Sequence, residues 1–150
     1  MKSTVKEILD AKGGNVWTID ATETVYEALV RMAKKDVGAL VVLDKGKLAG
    51  IFSERDYARK VILHGKASKE STVKEMMSSE VTVIKPETNI EECMTLMTRK
   101  HFRHLPVMQK DELLGIISIG DVVSKFISDQ EITIKNLEDY IYGKPLANNK

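Results

Sequence analysis

The sequence predicts a mixed α/β protein: two tandem β-α-β-β-α units packed about a pseudo-twofold axis, with an extra C-terminal helix. Three observations predict it. First, Gly50-Ile51-Phe52-Ser53-Glu54-Arg55-Asp56 reads glycine, two apolar residues, serine, two variable positions, aspartate, and Gly115-Ile116-Ile117-Ser118-Ile119-Gly120-Asp121 reads the same way 65 residues later. Second, the register holds upstream: Val25, Ala28, Leu29 and Met32 align with Ile90, Cys93, Met94 and Met97, and Leu40-Val41-Val42 aligns with Leu105-Pro106-Val107. Third, Thr4-Val5-Lys6-Glu7-Ile8 recurs as Thr72-Val73-Lys74-Glu75-Met76 at a spacing of 68, which gives the first copy three extra residues around 11–15. A duplicated unit of this size implies two half-modules whose intervening cleft is the natural site.

The elements follow in order. Thr4 to Leu9 reads as a short helix capped by Thr4 or Ser3. Val16 to Ile19 is short and β-rich. Thr22 or Thr24 caps a helix whose apolar residues, Val25, Ala28, Leu29 and Met32, fall on one face. Ala39 to Leu43 is a near-continuous apolar run, the mark of a strand covered on both sides. Asp44 to Lys47 is a turn, Leu48 to Phe52 the returning strand, and Glu54 to Leu63 a helix stopped by Gly65. His64 to Ser71 is polar and links the copies.

The second copy repeats the plan. Val81 to Ile84 is its short strand, and Pro86 precedes a helix carrying Ile90, Cys93, Met94 and Met97. Leu105 to Met108 and Leu113 to Ser118 form a hairpin, and Asp121 to Ser128 is the closing helix. The predicted boundaries are 1–66 and 67–130 for the two copies, 131–143 for the extra helix and 144–150 for a frayed tail. Ile134, Leu137 and Ile141 give the extra helix an apolar stripe before Gly143 and Pro145 end it. That stripe is expected to pack on the module or across a dimer interface.

At 150 residues with 43% apolar content, the chain suffices for one domain or two small intimate ones. A net charge of +1 leaves no electrostatic footprint for nucleic acid or an anionic membrane. No apolar run approaches the roughly 20 residues that span a bilayer. The N-terminus lacks an apolar signal core, so the expected location is the cytoplasm. The single cysteine, Cys93, excludes an internal disulfide and falls on an apolar helical stripe, which reads as a buried small hydrophobe.

The repeated Ser-x-x-Asp has two readings. Serine at a helix start with an acid three residues on approaches a capping box, a structural device. But the motif occurs twice in one register after a glycine and an apolar pair. A helix N-terminus also suits an anion, and an acid there can accept from vicinal hydroxyls, as an acidic residue does for ribose in dinucleotide folds.

On these residues, together with His101-Phe102-Arg103-His104-Leu105-Pro106-Val107, the chain resembles a pair of cystathionine-β-synthase (CBS) domains, a Bateman module, over about residues 4–128. It further resembles small CBS-pair proteins of bacteria and plant organelles, which share Ser53-Glu54-Arg55-Asp56-Tyr57-Ala58-Arg59-Lys60 and Arg103-His104-Leu105-Pro106-Val107. The resemblance implies an adenine nucleotide in the cleft, AMP foremost, with NAD(H) or ATP as other ligands. It implies that Asp56 and Asp121 hold ribose hydroxyls, with Ser53 and Ser118 beside them. Arg103 and His104 would hold phosphate opposite Asp56, and Arg55 would serve the Asp121 site. Gly38, Ala39, Pro106, Ile19 and Ile84 are the remaining positions it assigns to the ligand. Gly38-Ala39 stands where the second copy has Arg103-His104, and Gly120 where the first has Arg55, so the two sites are expected to differ. The resemblance also implies a homodimer and a separate regulated protein.

Without the resemblance, Arg103 reads as a surface charge, His104 as a half-buried histidine, and Arg59, Lys60 and Lys66 as solvated faces. Phe52, Tyr57 and the methionines 32, 76, 77, 94 and 97 read as core or contact residues, and Trp17 sits where the adenine-lining segment begins. Three functions were weighed. The first is a regulatory adenine-nucleotide sensor. The second is an enzyme, for which the sequence offers no nucleophile with a paired base and no histidine or cysteine spacing for a metal. The third is a dimerisation adaptor with vestigial pockets, against which both retained Ser-x-x-Asp motifs argue.

Overall fold

The computed structural model describes residues 3–13 and 15–143. The helix α1 (Val5–Lys12) leads to a strand β1 (Thr18–Asp20), helix α2 (Val25–Lys35), strands β2 (Ala39–Asp44) and β3 (Lys47–Ser53), and a turn of helix α3 (Glu54–Asp56) that runs into a π-helix at Tyr57–Ile62. The second copy comprises α4 (Val73–Met76), α5 (Ile90–Lys100), β4 (His104–Gln109), β5 (Glu112–Ser118) and α6 (Ile119–Ile141).

The caps explain where the helices start. Thr24 and Asn89, at equivalent positions, accept from the backbone N–H of Glu27 and Glu92. Asp36 and His101, also equivalent, end α2 and α5 in the left-handed region at φ 54° and 58°. Each hairpin, β2–β3 and β4–β5, is antiparallel and carries a bulge at the same place, between Val42 and Leu43 or between Val107 and Met108.

The duplication is less regular than the sequence predicts. β1 pairs with β2 in parallel, but the expected strand Val81 to Ile84 is reduced to one bridge, Ile84 to Val107. Proline supplies the reason. In the first copy Val41 N–H donates to the Trp17 carbonyl at 3.2 Å. Its equivalent is Pro106, which has no N–H to give, so the ladder closes only at Ile84, whose N–H reaches the Pro106 carbonyl. The closing helix and the extra helix, expected as separate pieces, are one helix of 23 residues, α6, because no glycine or proline interrupts Asp121 to Tyr142. Its stripe residues Ile134, Leu137 and Ile141 are 56%, 56% and 72% exposed, so they do not pack on the module. The predicted tail 144–150, Pro145 included, lies outside the described residues.

Packing crosses the repeats. One core gathers Ile19, Val25, Met32, Leu40, Phe52 and Val61 with Val73 and Met76 of α4. The other gathers Ile84, Ile90, Cys93, Met97, Leu105, Ile117 and Val122 with Val5 and Ile8 of α1. Each short helix therefore seals the other copy's core. Backbone bonds repeat the exchange: Val5 N–H donates to Thr88 and Val73 N–H to Glu23, both at 2.8 Å. Two glycines make room for it. A side chain at Gly115 would meet the Leu9 side chain of α1 at 2.6 Å, and one at Gly50 would meet the Ser78 carbonyl at 2.5 Å.

The two glycines differ in what would have to move. Gly115→Ala meets the end of a flexible leucine, whereas Gly50→Ala meets backbone. We expect Gly50→Ala to cost about 1–3 kcal/mol in urea unfolding, the range for overpacking, and Gly115→Ala measurably less. Equal losses would show that the segment after α4 yields as readily as the Leu9 side chain.

Candidate functional site

The two Ser-x-x-Asp motifs fold as the capping reading requires. Asp56 N–H donates to Ser53 Oγ at 3.1 Å, and Asp56 Oδ2 accepts from Ser53 N–H at 3.0 Å. Asp121 N–H donates to Ser118 Oγ at 3.1 Å, and Asp121 Oδ2 accepts from Ser118 N–H at 2.9 Å. Capping holds each carboxylate by one oxygen, at the mouth of the cleft between the copies. What meets it there differs between the two.

At Asp56, Oδ1 accepts from Ser78 Oγ at 3.0 Å and lies 3.3 Å from Lys60 Nζ. Lys60 also donates to the Ser78 hydroxyl and the Met77 carbonyl. Ser78 arrives because the segment after α4 bridges Ile51 on β3. At Asp121 the partner is Lys12, from the end of α1, with Nζ 2.8 Å from Oδ2 and 3.1 Å from the Ile116 carbonyl.

A cavity of about 470 Å³ opens beside Asp56. Ser53, Arg55, Asp56, Arg59 and Lys60 line it from the first copy, Ser78 and Glu80 from the connection, and Lys100, His101, Arg103 and His104 from the second copy. Its size falls within the roughly 300–1,000 Å³ of small-molecule sites. Arginine and lysine supply five cations against the two carboxylates of Asp56 and Glu80. A wall with this excess of cations suits an anion, and Asp56 supplies a hydroxyl acceptor.

The cavity unites Ser53, Arg55, Asp56, Gly38, Arg103 and His104 among the residues expected from the sequence. The resemblance assigns Arg55 to the Asp121 site, yet its side chain lines the Asp56 cavity. Ser118 and Asp121 lie outside that lining. So do Ala39, Pro106, Ile19 and Ile84, all four of which are buried. Arg59 and Lys60, read from the sequence as a solvated face, remain largely solvated and also line it. The i, i+4 spacing of Lys60 from Asp56 was the available signal. Ser78 and Lys12 carry no local signal, because crossed packing delivers both.

The CBS domain family model matches the chain twice, over residues 5–62 and 73–128. The chain belongs to the CBS-domain family. Its CBS pair is 37% identical over 150 aligned residues to the CBS domain-containing protein CBSX3, mitochondrial, of Arabidopsis thaliana, covering 94% of this chain and 73% of that one. Among solved structures, a putative signal-transduction protein with CBS domains from Burkholderia ambifaria is 45% identical, with a TM-score of 0.81 over 85% of this chain and 96% of the other. A hexameric CBS-CP12 protein from bloom-forming cyanobacteria is 30% identical, with a TM-score of 0.77 over 94% and 87%.

Charges couple the two halves of this CBS pair. Burial lowers the pKa of half-buried His104, and Lys12 and Arg103 add to this, against the pull of Asp121 and Asp56. The residue is held neutral in the fold, so its contribution is present above pH 6.5 and is lost as pH falls below that value. Desolvation, then the charges of Arg59 and Arg103, lowers the Arg55 pKa, while Asp56 opposes the shift. Arg55 therefore feels the like charges of Arg59 and Arg103, which line the same cavity. Burial pushes Asp121 up, but the hydrogen bonds and charge of Lys12 and the bonds from Ser118 outweigh it and hold the carboxyl below its ordinary value. Buried Cys93 has a thiol raised to about 11, chiefly by desolvation, which leaves it unreactive. Among the described residues, no three His, Cys, Asp or Glu side chains converge as a metal site, and no helix is long and apolar enough to cross a membrane.

Lys12→Met tests the Asp121 contact. A depressed carboxyl contributes stability above its unfolded pKa and loses it as pH falls through the folded pKa. The variant should therefore raise the Asp121 pKa in a carbon-detected NMR titration. It should also be less stable than the parent by about 1 kcal/mol or less above pH 4, a gap that closes toward pH 2. An unchanged Asp121 titration would contradict the contact.

Proposed function

We infer that this CBS pair is a regulatory module that binds one adenine ribonucleotide in the Asp56 cavity and signals occupancy to a separate protein. The observation that carries this reading is the composition of that cavity: a capped carboxylate, Asp56, paired with Lys60, and four further cations, drawn from both copies. Ribose hydroxyls would replace Ser78 Oγ and Lys60 on Asp56 Oδ1, keeping the capping bond on Oδ2 intact. Lys60, released, would join Arg55, Arg59 and Arg103 around phosphate. AMP is the favoured ligand, with NAD(H) and ATP as alternatives. Because its walls come from both copies, ligand would fix their relation, and a partner would read the fixed state.

The Asp121 site is not equivalent, because Lys12 already neutralises its carboxylate. We place the protein as a homodimer, consistent with the higher assembly that the cyanobacterial neighbour's name states. A cytoplasmic location belongs to the same proposal. An enzyme is the weaker reading. A phosphate-transferring site needs carboxylates for Mg²⁺ near the phosphates, whereas this wall is dominated by cations.

Three measurements test the reading. Mass spectrometry of nucleotide released from the purified protein should find an adenine ribonucleotide. Asp56→Asn keeps the shape but sets a donor amide against donor hydroxyls. It should weaken AMP about ten- to a hundredfold by calorimetry, while Asp121→Asn leaves that event in place. Arg103→Ala should remove a charge-assisted contact worth about 1.5–3 kcal/mol and weaken AMP much more than adenosine. If Asp56→Asn changes no nucleotide's affinity, the motif is only a helix cap and the protein is an adaptor with an empty cleft.

A further inference from the structure

We propose that α6 carries an interface of its own: its outer face forms a parallel, in-register, two-stranded coiled coil with α6 of a second copy of this chain. The inference rests on the homodimer part of the functional reading and is independent of the nucleotide part. Only one face of α6 is engaged by the module. Val122 is buried, Phe126 packs on the second core, Lys125 lies 3.5 Å from Glu7, and Ser3 Oγ donates to Asp129 at 2.5 Å.

The opposite face is apolar and open. Val123, Ile127, Ile134, Leu137 and Ile141 are 44%, 51%, 56%, 56% and 72% exposed. With Gln130 they are spaced four, three, four, three and four residues apart, the alternation of a heptad seam. Ile127, Ile134 and Ile141 occupy one seam position throughout. Val123, Gln130 and Leu137 occupy the other. Isoleucine throughout the first position, with Leu137 at the second, matches the preference for two parallel strands in its last heptad, and Gln130 supplies the single polar seam residue that fixes oligomer state.

Two polar features select the register and direction. The Gln130 amide both donates and accepts, so in register it meets its own copy and both amides are satisfied. A register shifted by one heptad would set it against Val123 or Leu137. Glu131 and Glu138 flank the seam on one side. An antiparallel pair would bring these carboxylates against each other, whereas a parallel pair brings Glu138 against Thr133 of the second copy and Glu131 against Phe126. Charge therefore favours the parallel arrangement.

The seam also continues an apolar patch that the repeat duplicates. Ile62, the equivalent of Ile127 in the first copy, is 53% exposed. The seam from Val123 to Ile141 spans about 28 Å at 1.5 Å per residue, under three heptads. It is too short to hold two chains alone and adds to a dimer formed by the module.

The test uses the full chain with Ile141→Cys under mild oxidation at micromolar concentration. Buried Cys93 does not compete. In the parallel register the two introduced thiols face each other, and near-complete disulfide-linked dimer is expected. Lys135→Cys, off the seam, should give none. Leu137→Glu should weaken dimerisation at least tenfold by sedimentation while the melting of the fold is retained, since that side chain is exposed. A dimeric parent whose Ile141→Cys variant does not cross-link overturns the coiled coil and leaves the dimer standing. A monomeric parent overturns both, and a Leu137→Glu variant with unchanged dimerisation overturns the seam. None of these outcomes touches nucleotide binding, which the Asp56→Asn calorimetry decides separately.

Discussion

The close approach of the other copy's first helix and its end at Gly115 and Gly50 is the constraint on which the rest depends. Each glycine lies on the last strand of a hairpin; Gly50 admits the backbone of the segment after α4, and Gly115 admits the Leu9 side chain of α1. Through Gly115 the end of α1 lies over β5 and carries Lys12 to Asp121. Through Gly50 the end of α4 bridges β3 and carries Ser78 to Asp56. One steric allowance thus seals both cores, joins the copies crosswise and supplies the partners of both carboxylates. Neither half is complete alone, since each core counts two buried residues of a short helix from the other copy's end of the sequence.

Within that frame the duplication has been broken electrostatically. Both aspartates keep the same capping geometry, which costs the protein nothing in fold. One is answered by a flexible lysine at i+4 and a serine, beside a cavity whose remaining walls are cationic. The other is held by Lys12 from α1, outside the lining of that cavity. In the proposed function the first arrangement exchanges partners, Lys60 moving from Asp56 to the phosphate. His104 feels the charge of both carboxylates, although burial is the larger influence and lowers its pKa. The capping and ligand readings of the motif are therefore not rivals here. The cap fixes Oδ2 and thereby aims Oδ1.

Much of this was legible in the sequence, and the exceptions have identifiable causes. The repeat register predicted both hairpins, and the i, i+3, i+4, i+7 stripes predicted α2 and α5 with their buried faces. Thr24 was one of two expected caps and is the one used. Val81 to Ile84 failed as a strand because β-propensity belongs to the segment, while the ladder also needs donors from its neighbour, and Pro106 withholds one. The division of α6 failed because the repeat length was taken as a boundary where no breaker residue stood. In the site, contributions from within one motif were readable: Ser53, Arg55, Asp56, Arg103 and His104 all line the cavity. Lys12 and Ser78 were not, since an amphipathic pattern shows that a helix is covered without showing which copy covers it. Arg59 and Lys60, expected on a solvated face, are exposed and partly exposed, and they also line the cavity.

The central claim is that one ribonucleotide sits across the two copies with ribose on Asp56 and phosphate among the cations. A crystal structure of the protein with AMP tests it most directly. The account predicts both ribose hydroxyls within hydrogen-bond distance of Asp56 Oδ1, phosphate oxygens on Arg103 and on Arg55 or Arg59, and Lys12 still on Asp121. AMP bound at Asp121 with Lys12 displaced, or a cleft left empty at saturating AMP, would contradict it.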